Sequence, residues 1–485
     1  MDQSAAATAQ DKVYSDYQDK RRGHWDSIAL KTDSWTSKGV YYHQRINEIY
    51  RFLIAPGQRV IELGCATGDL ISALKPGTGV GIDFSEEMIR RAEKKHPEIQ
   101  FILCDAHDIN LDEKFDVIIL SDIVNDLWDV QKVFDQIYKL CTAETRIIIN
   151  LYSHLWEMPL KLSQHLNLAT PLLPQNWLTV DDIKNMLHLA GFEMVRSWHE
   201  FLWPMNTPVM SSFFNKVIVK LWPLCHFALT NFIIARKRPE KRWKNKEPLV
   251  SVVVPARNEA GNIEEIFART PEMGSGTELI FVEGNSSDNT YEAIEQVMAE
   301  HPQRRCKLFR QTGIGKGDAV RLGFKNATGD ILMILDADMT VPPEDLPRFY
   351  NAIYSGEGEF INGVRLVYPM EKQAMRYLNI VGNKFFSLAF SWLLGQPIKD
   401  TLCGTKVLSK ENYNLLAQNR SYFGEFDPFG DFDLLFGSAK MNMKIVEMPI
   451  RYAQRKYGDT NIDRWRHGWL LLKMTAYAMK KIKFV

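Results

Sequence analysis

The run RVIELGCATGDLISALK, from Arg59 to Lys75, decides how the first half of the chain folds. Its β-branched start reads as a buried strand, its glycines as a turn, and its last residues as the opening of a helix. In an α/β sheet such a turn lies at the carboxyl ends of the strands, where glycine lets backbone approach a ligand closely. Outward from it, GVGID ends a second strand at Asp83, IQFILCDA a third at Asp105, and FDVIILSD a fourth at Ser121 and Asp122. Four strand ends therefore offer polar groups to one crevice. A carboxylate about twenty residues past the turn is placed to accept from both ribose hydroxyls.

The second half repeats the logic with different chemistry. VSVVVPARNEAGNIEEIF, Val250 to Phe267, is a strand that ends at Pro255 and turns into a helix through Arg257, Asn258 and Glu259. ELIFVEG ends a further strand at Glu283, and GIGKGDAVRLGFKNATGD combines glycines with Lys316 and Arg321. DILMILDADMTVPPEDL then sets Asp336 and Asp338 at the mouth of an apolar strand. Two carboxylates so close repel unless a cation lies between them, and a hard divalent ion with oxygen ligands answers that need. An ion bridging a diphosphate also makes it a good leaving group.

At 485 residues the chain is too long for one ordinary core, and 45% hydrophobic with 24% charged residues is a globular composition. Alternating strands and amphipathic helices fill both halves, which predicts α/β domains with mostly parallel sheets. The seam RKRPEKRWKNKEP, Arg236 to Pro248, is basic and proline-bearing. The expected organisation is a first domain over 1–236, a linker over 237–248 and a second domain over 249–485. Lys+Arg and Asp+Glu both total 59, which points away from a nucleic-acid partner. Six scattered cysteines without C-x-x-C pairing or a neighbouring histidine at ligand spacing read as reduced thiols. The amino terminus lacks the apolar core of a secretory signal, and no run reaches the roughly 20 apolar residues of a membrane span. The expectation is a cytoplasmic protein.

Over roughly residues 40 to 236 the sequence resembles the class I S-adenosylmethionine-dependent methyltransferases. The resemblance rests on Glu62, Gly64, Gly68, Asp83 and Asp105 in that order, each at a strand end or its turn. It implies a Rossmann-like doubly wound fold in which Gly64 and Gly68 wrap the amino-acid part of S-adenosylmethionine, Asp83 holds the ribose and Asp105 meets the adenine amine. Glu62 and Ser121 complete the expected cofactor set. Ala66 stands where the family's turn has its middle glycine. A dinucleotide fingerprint wants G-x-G-x-x-G, which G-C-A-T-G does not supply. Asp122, Asn125 and Asp126 follow the fourth strand, either as acceptor-side groups or as a helix cap. Asn206 to Pro223 reads as an acceptor lid, a membrane-facing helix or core packing, of which packing is the expectation.

Over roughly residues 249 to 460 the sequence resembles the inverting family 2 glycosyltransferases of GT-A fold, and within them the dolichyl- and polyprenyl-phosphate sugar synthases. The likeness implies that Pro255, Arg257, Asn258, Glu259 and Glu283 hold the nucleoside of a nucleotide sugar, with Asp336 and Asp338 on Mg²⁺ or Mn²⁺ and the diphosphate. Arg365, Lys406 and Arg455 fall where those synthases place phosphate-binding cations, and Lys316 joins the residues expected to bind the nucleotide sugar. A hydroxyl acceptor needs a general base, for which Glu425, Asp427, Asp431 and Asp433 are available, whereas a phosphate acceptor needs none. The sequence departs from the family at Glu283-Gly284-Asn285, at Thr340 and at Asn461.

Ala374 to Gly395 is strongly apolar with Arg376 and Lys384 at its edge. After Asp463 come Arg464, Arg466, Lys473, Lys480, Lys481 and Lys483, interleaved with Trp465, Trp469 and Phe484 and without an acid. Apolar faces with basic and aromatic borders suit a membrane interface. The expected protein is bifunctional, a methyltransferase and a sugar transferase, peripheral on the inner face of the cytoplasmic membrane with a polyprenyl-phosphate acceptor. Two alternatives stand beside it: a glycan hydroxyl in polysaccharide or O-antigen synthesis as the acceptor, and a first half that only binds S-adenosylmethionine as a regulatory or scaffold module.

Overall fold

A computed structural model of the chain describes residues 3–31, 40–165, 173–238, 240–243, 246–365, 377–419, 432–453, 455, 457 and 464–484. They form two compact units, one within Met1–Arg238 and the other within Pro239–Lys483.

The first unit is built on seven strands: β1 (Arg59–Leu63), β2 (Thr78–Asp83), β3 (Gln100–Leu103), β4 (Phe115–Ser121), β5 (Cys141–Tyr152), β6 (Phe192–Glu200) and β7 (Thr230–Lys237). Their order is β3-β2-β1-β4-β5-β7-β6. Strands β1 to β5 are parallel, and β7 runs antiparallel between β5 and β6. Strand order reverses between β1 and β4, the point at which an open α/β sheet leaves a crevice. Helices cover both faces, so the central strands are apolar nearly throughout. Ile61 and Leu63 of β1 join one core with Ile118 and Phe134, while Val60 joins the opposite one with Ile119 and Tyr50. Three helices matter for the crevice: α1 (Gln3–Lys31), α2 (Val40–Leu53) and α3 (Asp69–Ala73).

The second unit repeats the plan with β8 (Val250–Ala256), β9 (Thr277–Glu283), β10 (Cys306–Arg310), β11 (Ile331–Ile334), β12 (Phe360–Val364), β13 (Lys406–Ser409) and β14 (Ile445–Pro449). The order is β10-β9-β8-β11-β13-β12-β14, with β13 antiparallel to both neighbours and the reversal between β8 and β11. Val252 and Val254 of β8 face one core and Val253 the other. Both units are thus α/β and wound on two sides, as the alternating pattern requires.

The stretch from Asn206 to Pro223 corrects its expectation. Ser211, Asn215 and Val219 are buried, but Val209 is 83% and Trp222 80% exposed, and Phe213 is exposed as well. The short helix Met210–Lys216 is anchored by one side chain: Asn215 accepts from Leu202 N and Trp203 N, both at 2.8 Å, and donates to the Trp203 carbonyl at 2.7 Å. Seven residues have only one inward face, and the apolar remainder stays outside. No helix among the described residues is long and apolar enough to cross a membrane.

Candidate active sites

In the first unit the crevice opens where the order reverses. Gly64 after β1, Asp83 at the end of β2, Asp105 after β3, and Ile123 after β4 line it together. Three expected cofactor residues thus share one surface. Glu62, Gly68 and Ser121 are not among its lining residues. Glu62 is buried behind it and accepts from Ile71 N at 3.1 Å, fastening α3 to β1. Burial raises the Glu62 carboxyl well above its usual range. Gly64 and Gly68 have φ of +69° and +74°, and a Cβ on Gly64 would come within 2.7 Å of Ile123 Cδ1. Asp83 accepts from Ala66 N and Ser85 N, both at 2.9 Å, which ties the turn to β2. Burial pushes its carboxyl up to about 6 against those bonds.

Asp105 is crowded. His107 donates to it from N at 2.8 Å and faces it through Nδ1 at 2.6 Å, while α1 supplies Tyr14 Oη at 3.4 Å and the Gln18 amide. Burial works against its charge, but His107 and Gln18 hold the carboxyl down at about 2. Along the same face of α1, Tyr17 Oη donates to the Asp126 carbonyl at 2.8 Å, Arg21 pairs with the Asp126 carboxylate, and Trp25 Nε1 donates to it at 2.8 Å. Helix α1 therefore lies across the crevice as a strap. Deeper in, Asp122 (φ +57°) accepts from Tyr42 Oη of α2 at 2.9 Å and from Asn150 Nδ2 at 2.6 Å. Burial carries it from its ordinary 3.8 to about 7. Asn125 is spent on structure, donating to the Asn176 carbonyl at 2.7 Å and accepting from Tyr152 N at 3.0 Å.

In the second unit the carboxyl ends of β8, β9 and β11 supply the charged groups. Asn258 (φ +57°) accepts from Ser287 N at 2.8 Å and donates its own N–H to Ser286 Oγ at 3.0 Å, so the turn after β8 is laced to the loop after β9. Glu283 is buried at the end of β9. Asp336 pairs with Lys316 at 2.6 Å, and burial, which would raise its carboxyl, is overcome by Lys316. Asp338 meets Arg455 Nη2 at 3.0 Å and accepts from Thr340 N at 3.1 Å and Thr340 Oγ1 at 2.7 Å. Arg455 also reaches Glu259 at 3.2 Å, which burial pushes up to about 7. Met339, between the two strand-end contacts, sits at φ +57°.

Lys316–Asp336 and Asp338–Arg455–Glu259 thus form two runs of charged contacts at the end of β11. Arg365 and Lys406 have their N–H groups engaged by protein. Arg365 makes a two-pronged contact with buried Asp400 at 2.7 and 2.8 Å, and Lys406, fully buried, donates to Asn362 Oδ1 at 2.8 Å and the Cys403 carbonyl at 2.6 Å. Both still act on Asp336 through space. Asp433 stands 3.9 Å from Arg321 in the first turn of the helix Phe432–Lys440. Asp431, Glu425, Asp427 and Asn461 lie outside the described residues.

Residues 54–191 match the family model of a methyltransferase domain, and residues 251–413 that of glycosyl transferase family 2. The chain carries one domain of each kind. Dolichol-phosphate mannosyltransferase of Pyrococcus furiosus is 28% identical over 248 residues, 48% of this chain and 67% of that relative. Undecaprenyl-phosphate 4-deoxy-4-formamido-L-arabinose transferase of Proteus mirabilis is 24% identical over 44% of this chain and 62% of its own length. Among solved structures, magnesium protoporphyrin IX methyltransferase from Synechocystis with bound SAH is 16% identical, with a TM-score of 0.34 over 46% of this chain and 100% of that one.

Several residues of both domains escape a reading of the sequence. In the methyltransferase domain these are Tyr14, Gln18, Arg21 and Trp25 of the strap, and His107, whose neighbour Asp105 was the only visible sign. In the glycosyltransferase domain they are Asp400, which holds Arg365, and Gly404, where a Cβ would collide with the Asp336 carboxylate and the Lys316 ammonium. The glycine of DTLCGTK was itself a signal, since glycine marks close approach.

Proposed function

We propose that the glycosyltransferase domain transfers a sugar from a nucleotide donor, with inversion, to the phosphate of a polyprenyl-type lipid. The observation that carries this is the run of contacts Lys316–Asp336 and Asp338–Arg455–Glu259 at the point where the strand order reverses. The residues fit a divalent ion: two carboxylates supply hard oxygen donors, and their present partners are cations that a metal and a diphosphate can relieve together. Mg²⁺ or Mn²⁺, when bound, neutralises charge developing on the leaving diphosphate. Lys316 and Arg455 then face the phosphates, and Asn258 and Glu283 border the space for the nucleoside. Arg365 and Lys406 lend positive field from behind. An ionised acceptor phosphate attacks the anomeric carbon in line without a base, and both curated relatives described above are named for polyprenyl-type phosphates.

The methyltransferase domain, in this reading, holds S-adenosylmethionine in the crevice of Gly64, Asp83 and Asp105 and uses it as the methyl donor. Asp83 is placed for ribose hydroxyls and Asp105 for an exocyclic amine. Asp122, poised near neutrality, takes the proton of a hydroxyl or amine acceptor.

A place on the inner face of the cytoplasmic membrane fits the carboxy-terminal surface. Helices Tyr377–Leu394 and Arg464–Ala478 pack on each other, and they leave Phe385, Leu388, Trp469 and Leu472 exposed beside Lys384 and Lys473.

The test incubates the protein with polyprenyl phosphate, Mn²⁺ and a panel of labelled nucleotide sugars, with Asp338→Asn as control. Label should enter the organic phase with the native protein only, and chelation should abolish it. Donor hydrolysis that depends on Asp338 without lipid labelling would shift the acceptor to a glycan hydroxyl.

A further inference from the structure

We propose that His199, Cys225 and His226, none of them a residue of either candidate active site, form a binding site for a thiophilic divalent ion of the Zn²⁺ class. Cys225 and His226 lie in the 3-10 turn Leu224–Phe227, and His199 lies on the edge strand β6. The possible ligand atoms of the three all lie within 4.8 Å of one another. The sequence hides this set, because His199 and Cys225 are separated by twenty-five residues and only the fold brings them together.

Three features distinguish the cluster from a chance meeting. The cross-strand partner of His199 on β7 is Asn231, and His199 Nδ1 lies 2.8 Å from Asn231 Oδ1. An amide oxygen only accepts, so Nδ1 carries the proton and Nε2 is the nitrogen available to a metal. A ligating histidine with its other nitrogen tied to an oxygen is the usual arrangement at metal centres. Cys225 is in no disulfide, and the His199 and His226 rings meet edge-on with centroids 5.4 Å apart.

The donor set selects the ion. One thiolate with two imidazoles suits Zn²⁺ and disfavours Mg²⁺ and Ca²⁺, which want oxygen. Zn–N near 2.1 Å and Zn–S near 2.3 Å place tetrahedral ligands about 3.5 Å apart. The turn therefore closes by no more than about 1.3 Å onto the strand. His226 is exposed, leaving the fourth position to water. Binding displaces the Cys225 thiol proton to solvent, and the ion then pins Leu224–Phe227 to the sheet edge.

The test treats full-length protein with chelator and titrates it with Co²⁺, then Zn²⁺. Thiolate-to-cobalt charge-transfer absorption should rise to one equivalent and vanish as Zn²⁺ replaces cobalt; carboxylates of the glycosyltransferase crevice cannot give that band. Cys225→Ser should abolish it, and His199→Ala and Asn231→Ala should each weaken Zn²⁺ binding at least about tenfold. Absence of the band, or Zn²⁺ affinity unchanged by Cys225→Ser, overturns the proposal. Alkylation of the unaltered protein gives a second readout that needs no variant: Zn²⁺ should protect Cys225 and not Cys104, and equal labelling of both with and without Zn²⁺ contradicts the site.

Discussion

Gly404 has no side chain, and the Lys316–Asp336 pair occupies the volume that one would fill. Gly404→Ala should therefore part that pair and lower sugar transfer at least about tenfold, while the unfolding midpoint moves little because the displaced groups are flexible side-chain ends. Steady-state kinetics beside thermal unfolding separates the two effects. Ala66 makes the opposite case. At φ +46° it bears the cost of a left-handed backbone, about 1 kcal/mol, and glycine would relieve that while losing a similar amount to chain entropy. Ala66→Gly should be nearly neutral in urea unfolding, whereas Gly64→Ala, with its Cβ against Ile123, should cost about 2 kcal/mol or more. Asp122 gives a pH signature. Its folded carboxyl titrates at about 7, above the ordinary 3.8, so its contribution to stability is full below about pH 4 and lost as pH rises through about 7. Asp122→Asn should flatten that slope, and methyl transfer in the unaltered protein should rise over the same range as the base loses its proton.

Helix α1 shows what periodicity misses at the scale of an element. Tyr14, Tyr17, Gln18, Arg21 and Trp25 recur at helical spacing on one face, yet they are polar or aromatic, and a search for an apolar stripe passes over them. Their partners Asp105 and Asp126 lie about a hundred residues away. The strand ends were legible because buried parallel strands are nearly pure runs of Val, Ile and Leu and stop abruptly at polar residues. The exposed stretch from Val209 to Trp222 was not, since its composition is that of a core and only the fold decides which face has a neighbour. If Asp105 takes the adenine amine, as proposed, the strap must yield first, because Tyr14 and Gln18 occupy that carboxylate. Tyr14→Phe combined with Gln18→Ala should speed both association and release of S-adenosylhomocysteine in stopped-flow binding, and unchanged rates would refute the strap.

At the scale of the whole molecule, two reversals of strand order give two crevices with different chemistry: one lined by carboxylates that suit neutral hydroxyls and amines, the other by cations set against carboxylates that suit a diphosphate and a metal. The D-x-D pair, the glycine turn and the acids after β2 and β3 could be read in the sequence because each closes a strand; Asp400 and Asn362, which occupy Arg365 and Lys406, could not, because their partners are set by tertiary packing. A surface bearing Trp469, Leu472 and Lys473 predicts sedimentation with anionic vesicles that falls with salt and is reduced by Trp469→Ala. The two sites should bind their ligands independently, and calorimetry on the full chain tests this with S-adenosylhomocysteine and with a nucleoside diphosphate plus Mn²⁺. Both should bind the unaltered protein, Asp83→Asn should lose only the first and Asp338→Asn only the second. Failure of either ligand to bind the unaltered protein, or loss of both through one substitution, would contradict it.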